Sequence, residues 1–140
     1  VGANAYEIRL RVENQGDRGS LWARLVDVLN MDYPAIRIPL AWATSRDFEA
    51  FLPPGAVDHI RICWLNQDNR QVAFLGPGVI SPNPLDTQFS FGWQPIGSSS
   101  RFTAVVEVRS VPGRCLLVAV EVTPKASGQP EVWPDIGWCQ

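Results

Sequence analysis

The chain has few of the residues on which enzyme chemistry usually depends. Its 140 residues include a single histidine, His59, and only three cysteines. A Ser–His–Asp or Cys–His system needs an imidazole as its general base, so any such site would have to contain His59. The neighbouring Asp58 is a poor partner for it, because adjacent residues of a strand point to opposite faces of a sheet. We therefore predict no catalytic residues and no enzymatic activity.

Motifs for metals and cofactors are also missing. A structural zinc site uses closely spaced pairs of cysteine or histidine, whereas the cysteines of this chain occur singly. Residues 66–69 offer several oxygen ligands, but neither the glycine nor the closing glutamate of a calcium loop follows them. The glycines at 76 and 78 lead into no helix that could bind a phosphate. The sequence therefore predicts neither a metal nor a cofactor.

Charge and hydrophobicity exclude two classes of partner. Twelve basic and fourteen acidic residues give a net charge of −2, which offers no overall attraction to a nucleic acid. No apolar run approaches the roughly 18–20 residues that span a bilayer, so no membrane contact is expected. With 46% hydrophobic residues, a chain of this length is expected to form one domain around its own core.

Strand patterns dominate the sequence. Apolar and polar residues alternate from Tyr6 to Val12, and this period of two predicts a strand with one buried face. Residues 36–42 alternate in the same way but contain Pro39, which predicts a strand that lies at an edge or starts late, because proline cannot donate to a ladder. The strongest hairpin joins residues 102–109 to residues 116–122.

Two segments are less regular. Residues 21–29 could form a short amphipathic helix, but the surrounding strands favour a strand that has a bulge or two buried faces. In residues 48–66, an apolar pair at 51–52 precedes Pro53-Pro54-Gly55, and a strand begins at His59. This order predicts a corner at which the chain passes from one sheet to the other.

The number and spacing of these segments predict the fold. We expect an all-β protein, an immunoglobulin-like two-sheet antiparallel β-sandwich of about 7–9 strands over residues 1–123. Residues 124–140 contain proline and tryptophan but no alternation. They are predicted to be an irregular C-terminal tail or linker.

The alternation of residues along the strands also predicts whether the cysteines are free or disulfide-bonded. Cys63 alternates with Ile62 and Trp64, which are assigned to the core, and Cys115 shares its face with Glu121. Both thiols are therefore expected on outer faces, where a bridge across the core cannot form. Because the number of cysteines is also odd, we predict free thiols, a reducing compartment and a cytoplasmic location.

Six tryptophans are many for a chain of this length. Three of them lie on apolar phases and are predicted to fill the core: Trp42, Trp64 and Trp93. Exposed tryptophans anchor protein interfaces or stack on sugar rings, and sandwich domains bind mostly through loops at their ends. The candidate binding surface therefore combines three features: a tryptophan that is out of phase with its strand, the proline-rich loop at 76–87 and the tail. Its candidate residues are Trp22; Pro82 and Asn83 of the loop; and Trp133 and Trp138 of the tail.

Three stretches carry a family resemblance. They are IRLRVENQG at 8–16, FLPPG at 51–55 with the strand IRI after it, and the hairpin FTAVVEVRSVPGRCLLVAVEV at 102–122. In this order, over residues 6–123, they resemble the immunoglobulin-like accessory modules of prokaryotic multidomain proteins. The resemblance implies a non-catalytic interaction or spacer role beside another domain, and it carries over no functional residues.

The leading hypothesis for function is a non-catalytic β-sandwich module that mediates protein–protein interaction or assembly within a larger protein. Its partner would be another protein or an adjoining domain of the same polypeptide. The alternative is a carbohydrate-binding module that uses exposed tryptophans as stacking platforms. A hydrolase with His59 as its base and an assembly-forming sandwich are two further hypotheses.

Overall fold

A computed structural model describes residues 4–16, 19–31, 38–45, 48–75, 90–98, 100–110 and 113–138. These residues form ten strands and no helix. The strands are β1 (Ala5–Glu13), β2 (Gly19–Leu29), β3 (Ile38–Pro39), β4 (Glu49–Leu52), β5 (Val57–Asn66), β6 (Gln71–Leu75), β7 (Ser90–Pro95), β8 (Phe102–Ser110), β9 (Cys115–Thr123) and β10 (Glu131–Trp138). Within these ranges, no helix is long and apolar enough to cross a membrane.

The strands form two antiparallel sheets that pack together. One sheet has four strands in the order β1-β5-β6-β7. The other has six, in the order β10-β9-β8-β2-β3, and β4 also pairs with β2. The predicted two-sheet antiparallel β-sandwich is therefore confirmed. Two strands that the sequence patterns did not predict, β4 and β10, raise the number in the described residues to ten.

One hydrophobic core lies between the two sheets. The side chains of the β8–β9 hairpin that were predicted to face the core do so. Phe102 lies opposite Val122, and Val106 lies opposite Val118. Trp42 is also fully buried, as predicted, and bridges to β5. Burial of a Val, Leu or Phe side chain contributes about 1.5–3 kcal/mol, so this cluster supplies most of the driving force for folding.

A bulge in β5 changes which side chains reach the core. The register of β1 with β5 skips Ile62, so this residue is an extra one in β5. Beyond the bulge, Cys63 and Leu65 face the core and are fully buried. The predicted outer position of Cys63 and the predicted core position of Trp64 are therefore wrong, because strict alternation fails at the bulge.

Trp64 and Trp93 lie on the opposite side of the four-stranded sheet. The strand register places both of them beside Ala73. Both rings are half-buried, and neither indole N–H is hydrogen-bonded to a residue in the described ranges. The prediction that Trp93 fills the core is also wrong, because the pairing of β7 with β6 places it outside.

The corner in residues 48–66 is confirmed. β4 belongs to the six-stranded sheet and β5 to the four-stranded sheet, so the chain changes sheets between them. Gly55 makes the turn with φ of 81°, a left-handed conformation that glycine adopts without a Cβ clash. Its amide donates to the carbonyl of Asn14 at 2.6 Å. The edge position of Pro39 is confirmed as well, since β3 ends the strand order and Pro39 is exposed.

Strand β10 corrects the prediction of an irregular tail. Its register with β9 runs from Glu131 opposite Thr123 to Trp138 opposite Leu116. Val132 and Ile136 take the core phase of β10, opposite Val122 and Val118, but Pro134 stands between them and Trp133 takes the outer phase. Because β10 lies at the edge of the sheet, residues 131–137 also stay exposed. The alternation in this segment is therefore too weak to predict a strand.

Hydrogen bonds hold the connection between β9 and β10 against the body of the sandwich. The Oε1 atom of Gln67 accepts the Lys125 amide at 2.7 Å, and its Nε2 group donates to the Gly128 carbonyl at 2.8 Å. Asn4 donates to the carbonyl of Ala126 at 3.0 Å. These contacts fix where β10 begins along the edge of β9.

The cysteines differ in state. Cys63 is a free, buried thiol, whereas Cys115 is disulfide-bonded. The prediction of free thiols is therefore correct for Cys63 and wrong for Cys115. Because that prediction was the basis for a reducing compartment, the cysteines give no support to the predicted cytoplasmic location.

Candidate functional site

The six-stranded sheet has an outer face, which is the side turned away from the core. On β2, β8 and β9, the side chains that alternate with the core residues point to this face. Large apolar side chains lie exposed on it. Between 46% and 73% of the surface of each of four such residues is open to solvent: Leu29, Phe48, Phe51 and Trp133.

A groove of about 400 Å³ lies at one end of the outer face, which we name the groove end. Strand pairing assembles it from distant parts of the chain. Trp22 of β2 lies opposite Arg109 of β8, and Arg24 lies between Glu107 and the edge residue Pro39. Phe48, just before β4, completes the lining with Ala23.

An ion cluster occupies this groove. Arg24 and Arg109 each donate through Nε to the same oxygen, Oε1 of Glu107, at 2.7 and 2.8 Å. Glu107 is buried, and burial alone would raise its pKa. The hydrogen bonds and positive charges of Arg109 and Arg24 outweigh that effect and lower the pKa below the usual value. Glu107 is thus held as a carboxylate that fixes both guanidinium groups in the groove.

Aromatic rings flank this cluster. Phe48 is 46% exposed and Trp22 is half-buried. Glu49, which lies opposite Trp22 on β4, is exposed at the outer margin. The groove end therefore combines apolar rings with guanidinium groups, and these are the side chains that contribute most energy at protein interfaces.

The other end of the outer face is formed by β10 and its neighbours, and we name it the β10 end. Trp133 lies opposite Glu121 of β9, and Asp135 lies opposite Ala119. Trp133 is 73% exposed and Asp135 is exposed as well. With about 3.3 Å per residue along a strand and about 4.8 Å between strands, the β10 end lies roughly 24 Å from Trp22.

The structure separates the residues of the predicted binding surface. Trp22 and Trp133 share the outer face but lie at its opposite ends. Trp138 ends β10 opposite Leu116. Pro82 and Asn83, with the rest of the loop at 76–87, lie outside the described residues.

Sequence reasoning missed most of the groove. The arginines and Glu107 come together only through the pairing of β2 with β8, which joins residues 83 positions apart. The available signals were weak. Trp22 is out of phase with the apolar residues of its own strand, and Glu107 and Arg109 alternate with valines on theirs.

The separation of His59 and Asp58 is confirmed. His59 pairs with Arg11 on the outer phase of β1, whereas Asp58 is buried opposite Val12. The Oδ1 atom of Asp58 accepts the Thr44 hydroxyl at 3.0 Å, so this carboxylate has a structural role. In the ranges that the structure describes, no group of three or more histidine, cysteine or acidic side chains could hold a metal ion.

Comparison of the chain with protein-family models, with curated proteins and with solved structures gives no match.

Proposed function

We propose that this chain is a non-catalytic module that mediates protein–protein interaction or assembly through the outer face of the six-stranded sheet. The observation that carries the proposal is the exposure of Leu29, Phe48, Phe51 and Trp133 on that one face. These side chains lie in two groups, Phe48 and Phe51 toward the groove end and Leu29 and Trp133 toward the opposite end of the face. Aromatic side chains are enriched at protein interfaces relative to the rest of the surface. An accessory role of this type is also what the resemblance to immunoglobulin-like modules implies.

The composition of the face supports a protein partner. Aromatic residues and arginine are enriched at the centre of protein interfaces, while lysine is depleted there. The outer face follows this rule, with Trp22, Phe48, Arg24 and Arg109 around one groove. The face is carried by hydrogen-bonded strands and not by loops, so less conformational entropy is lost on binding.

The test is a selection from a phage-displayed library of random dodecapeptides against the immobilised protein. We expect selected peptides to lose binding when the face is made polar by Phe51→Ser or Trp133→Ser. The matched control is Val57→Ser, because Val57 is also exposed but lies on the four-stranded sheet. Circular dichroism checks that each variant remains folded.

Peptides that bind all three variants as well as the wild type would contradict the proposal. So would peptides that lose binding only with Val57→Ser, because the interaction would then use the other sheet. A library without any binding peptide would remove the support for this face as a protein-binding surface.

A carbohydrate-binding module is the second candidate, and the exposure of Trp133 favours it. An indole ring that is 73% exposed on a sheet face can stack on a sugar ring. A glycan array tests this function with the wild type and Trp133→Ala. Binding to a glycan that is abolished in the variant would favour the second candidate, whereas an array without signal would refute it.

A further inference from the structure

We propose that the partner of the outer face is a second copy of this chain, and that two copies pack face to face about a twofold axis. In this dimer the β10 end of each copy covers the groove end of the other. The inference rests on the proposed function, because it names the partner of the same surface.

The two proposed contact points carry opposite charge. In the groove, Glu107 neutralises only one of the guanidinium groups of Arg24 and Arg109, so this ion cluster keeps one positive charge. The exposed Glu49 lies on the other side of Trp22 from Arg109. At the β10 end, the exposed Asp135 supplies a carboxylate that forms no ion pair within the described ranges. Charge complementarity of this kind selects and orients a partner.

The arginines have hydrogen-bonding capacity left for that carboxylate. Both bond to Glu107 through Nε, and no residue in the described part of the chain accepts a hydrogen bond from their Nη groups. The two Nη groups of a guanidinium form a planar fork that matches a carboxylate. Asp135 of a second copy supplies the acceptor oxygens that the Nη groups of Arg109 and Arg24 do not find in the described part of one chain.

The apolar side chains are complementary in the same way. Trp133 projects from the β10 end, and Trp22 and Phe48 line the groove that would receive it. Stacked or edge-to-face aromatic pairs add about 0.5–1.5 kcal/mol to the effect of burial. A single copy cannot make this contact, because its own two ends are roughly 24 Å apart.

The spacing of the groups fits twofold symmetry. Trp133 and Asp135 are two residues apart on one strand, about 7 Å, and Trp22 and Arg109 face each other on adjacent strands, about 5 Å apart. A twofold axis between the two faces exchanges the two ends. The ring contact and the charged contact therefore each form twice, and the dimer is closed.

The area of the face is sufficient. Four neighbouring strands of 8 to 11 residues, with the short strands β3 and β4 in a fifth position beside β2, present a surface of roughly 24 by 30 Å, or about 700 Å² from each copy. Stable protein interfaces bury about 800 Å² from each partner. In the central row of the face, Val105 and Ala119 lie opposite each other, and the exposed Asp27 lies beside Val105 on β2.

A charge exchange between two variants tests the contact. Asp135→Arg and Arg109→Glu each place like charges together twice in a homodimer. We expect each variant alone to weaken dimerisation at least about tenfold, as the loss of a charged hydrogen bond would. An equimolar mixture of the two variants should dimerise again, because each contact then joins opposite charges. Sedimentation velocity from low micromolar to near-millimolar concentration measures all of these states.

The control variant is Arg9→Glu on the four-stranded sheet. Arg9 is 43% exposed, and it shares Glu7 with Arg61 as Arg109 shares Glu107 with Arg24. We expect this variant to dimerise as the wild type does, so a general effect of charge reversal is excluded. Thermal unfolding monitored by circular dichroism checks that all variants are folded.

Three results would overturn the inference. They are a wild type that stays monomeric throughout, single variants that dimerise like the wild type, and a mixture that fails to recover. Assembly beyond the dimer would refute the closed twofold arrangement. If the wild type is monomeric but selected peptides still depend on Phe51 and Trp133, the proposed function holds and the partner is a different protein.

Discussion

The carboxylate that organises the groove gives a quantitative prediction. Replacing Glu107 by glutamine removes the charge that Arg24 and Arg109 share but leaves a side chain of nearly the same size. Hydrogen bonds to charged groups contribute about 1.5–3 kcal/mol when they are shielded from water. Because Arg24 and Arg109 are 37% and 56% exposed, solvent screening reduces the expected loss in the free energy of unfolding to about 1–2 kcal/mol at neutral pH.

The pH dependence distinguishes this cause from a packing defect. The pKa of Glu107 is lower in the folded state than in the unfolded state, where a glutamate titrates near about 4.3. Its contribution is therefore complete above about pH 4.3 and is lost as the pH falls through the lower folded-state value. Wild type and Glu107→Gln should become equally stable in acid.

Urea unfolding between acidic and neutral pH, at low protein concentration, measures the difference. The matched control is Glu121→Gln, since Glu121 pairs with Arg101 at 3.3 Å and both side chains are well exposed. We expect that control to change stability by less than about 0.5 kcal/mol. If Glu107→Gln lowers the free energy of unfolding equally at all pH values, or does not lower it at neutral pH, the carboxylate charge of Glu107 does not stabilise the fold.

Two further predictions concern other buried groups. Burial, with a smaller effect from the charge of Glu7, raises the pKa of the Cys63 thiol, so iodoacetamide should label it only after unfolding; labelling under native conditions would show that the core opens. Gln67→Ala should cost about 1–3 kcal/mol in the free energy of unfolding and should speed hydrogen exchange of the Lys125 amide, which bonds to Gln67 at 2.7 Å. Gln129→Ala, in the same connection but exposed, is its control, and equal exchange rates in the two variants would contradict the role of Gln67.

The sequence predicts the sandwich wherever strict alternation holds. The β8–β9 hairpin is the clearest case, because neither strand contains a bulge and the apolar phase of each enters the core. The corner at Pro53-Pro54-Gly55 is equally readable, since proline and glycine impose their backbone geometry locally. Local rules were sufficient for these elements.

Prediction fails where tertiary pairing decides the outcome. The bulge at Ile62 reverses the phase of Cys63 and Trp64, and nothing in the local sequence marks it. β10 is stabilised by its pairing with β9, not by burial of an apolar face, and its weak alternation is interrupted by Trp133 and Pro134. Apolar–polar alternation reflects the burial of one face of a strand. It therefore does not reveal a strand that is held mainly by backbone hydrogen bonds to its neighbour.

The candidate site shows the same limit. The out-of-phase position of Trp22 left open whether this residue is exposed or lies on a second buried face, and the structure places it half-buried on the outer face. The predicted surface nevertheless combined residues that the fold separates, because no local pattern says that Arg24 meets Glu107 across 83 positions. The groove is a product of the strand order, and it becomes visible only once β2 is placed beside β8.

Carbene footprinting of the protein at low and at high concentration tests directly whether the outer face becomes buried between two copies. We expect Phe51 and Trp133 to be labelled in dilute solution and to become protected as the concentration rises. Val57, which is exposed on the other sheet, should be labelled equally in both conditions. Equal labelling of Phe51 and Trp133 at both concentrations, or protection of Val57 in their place, would contradict self-association through the outer face.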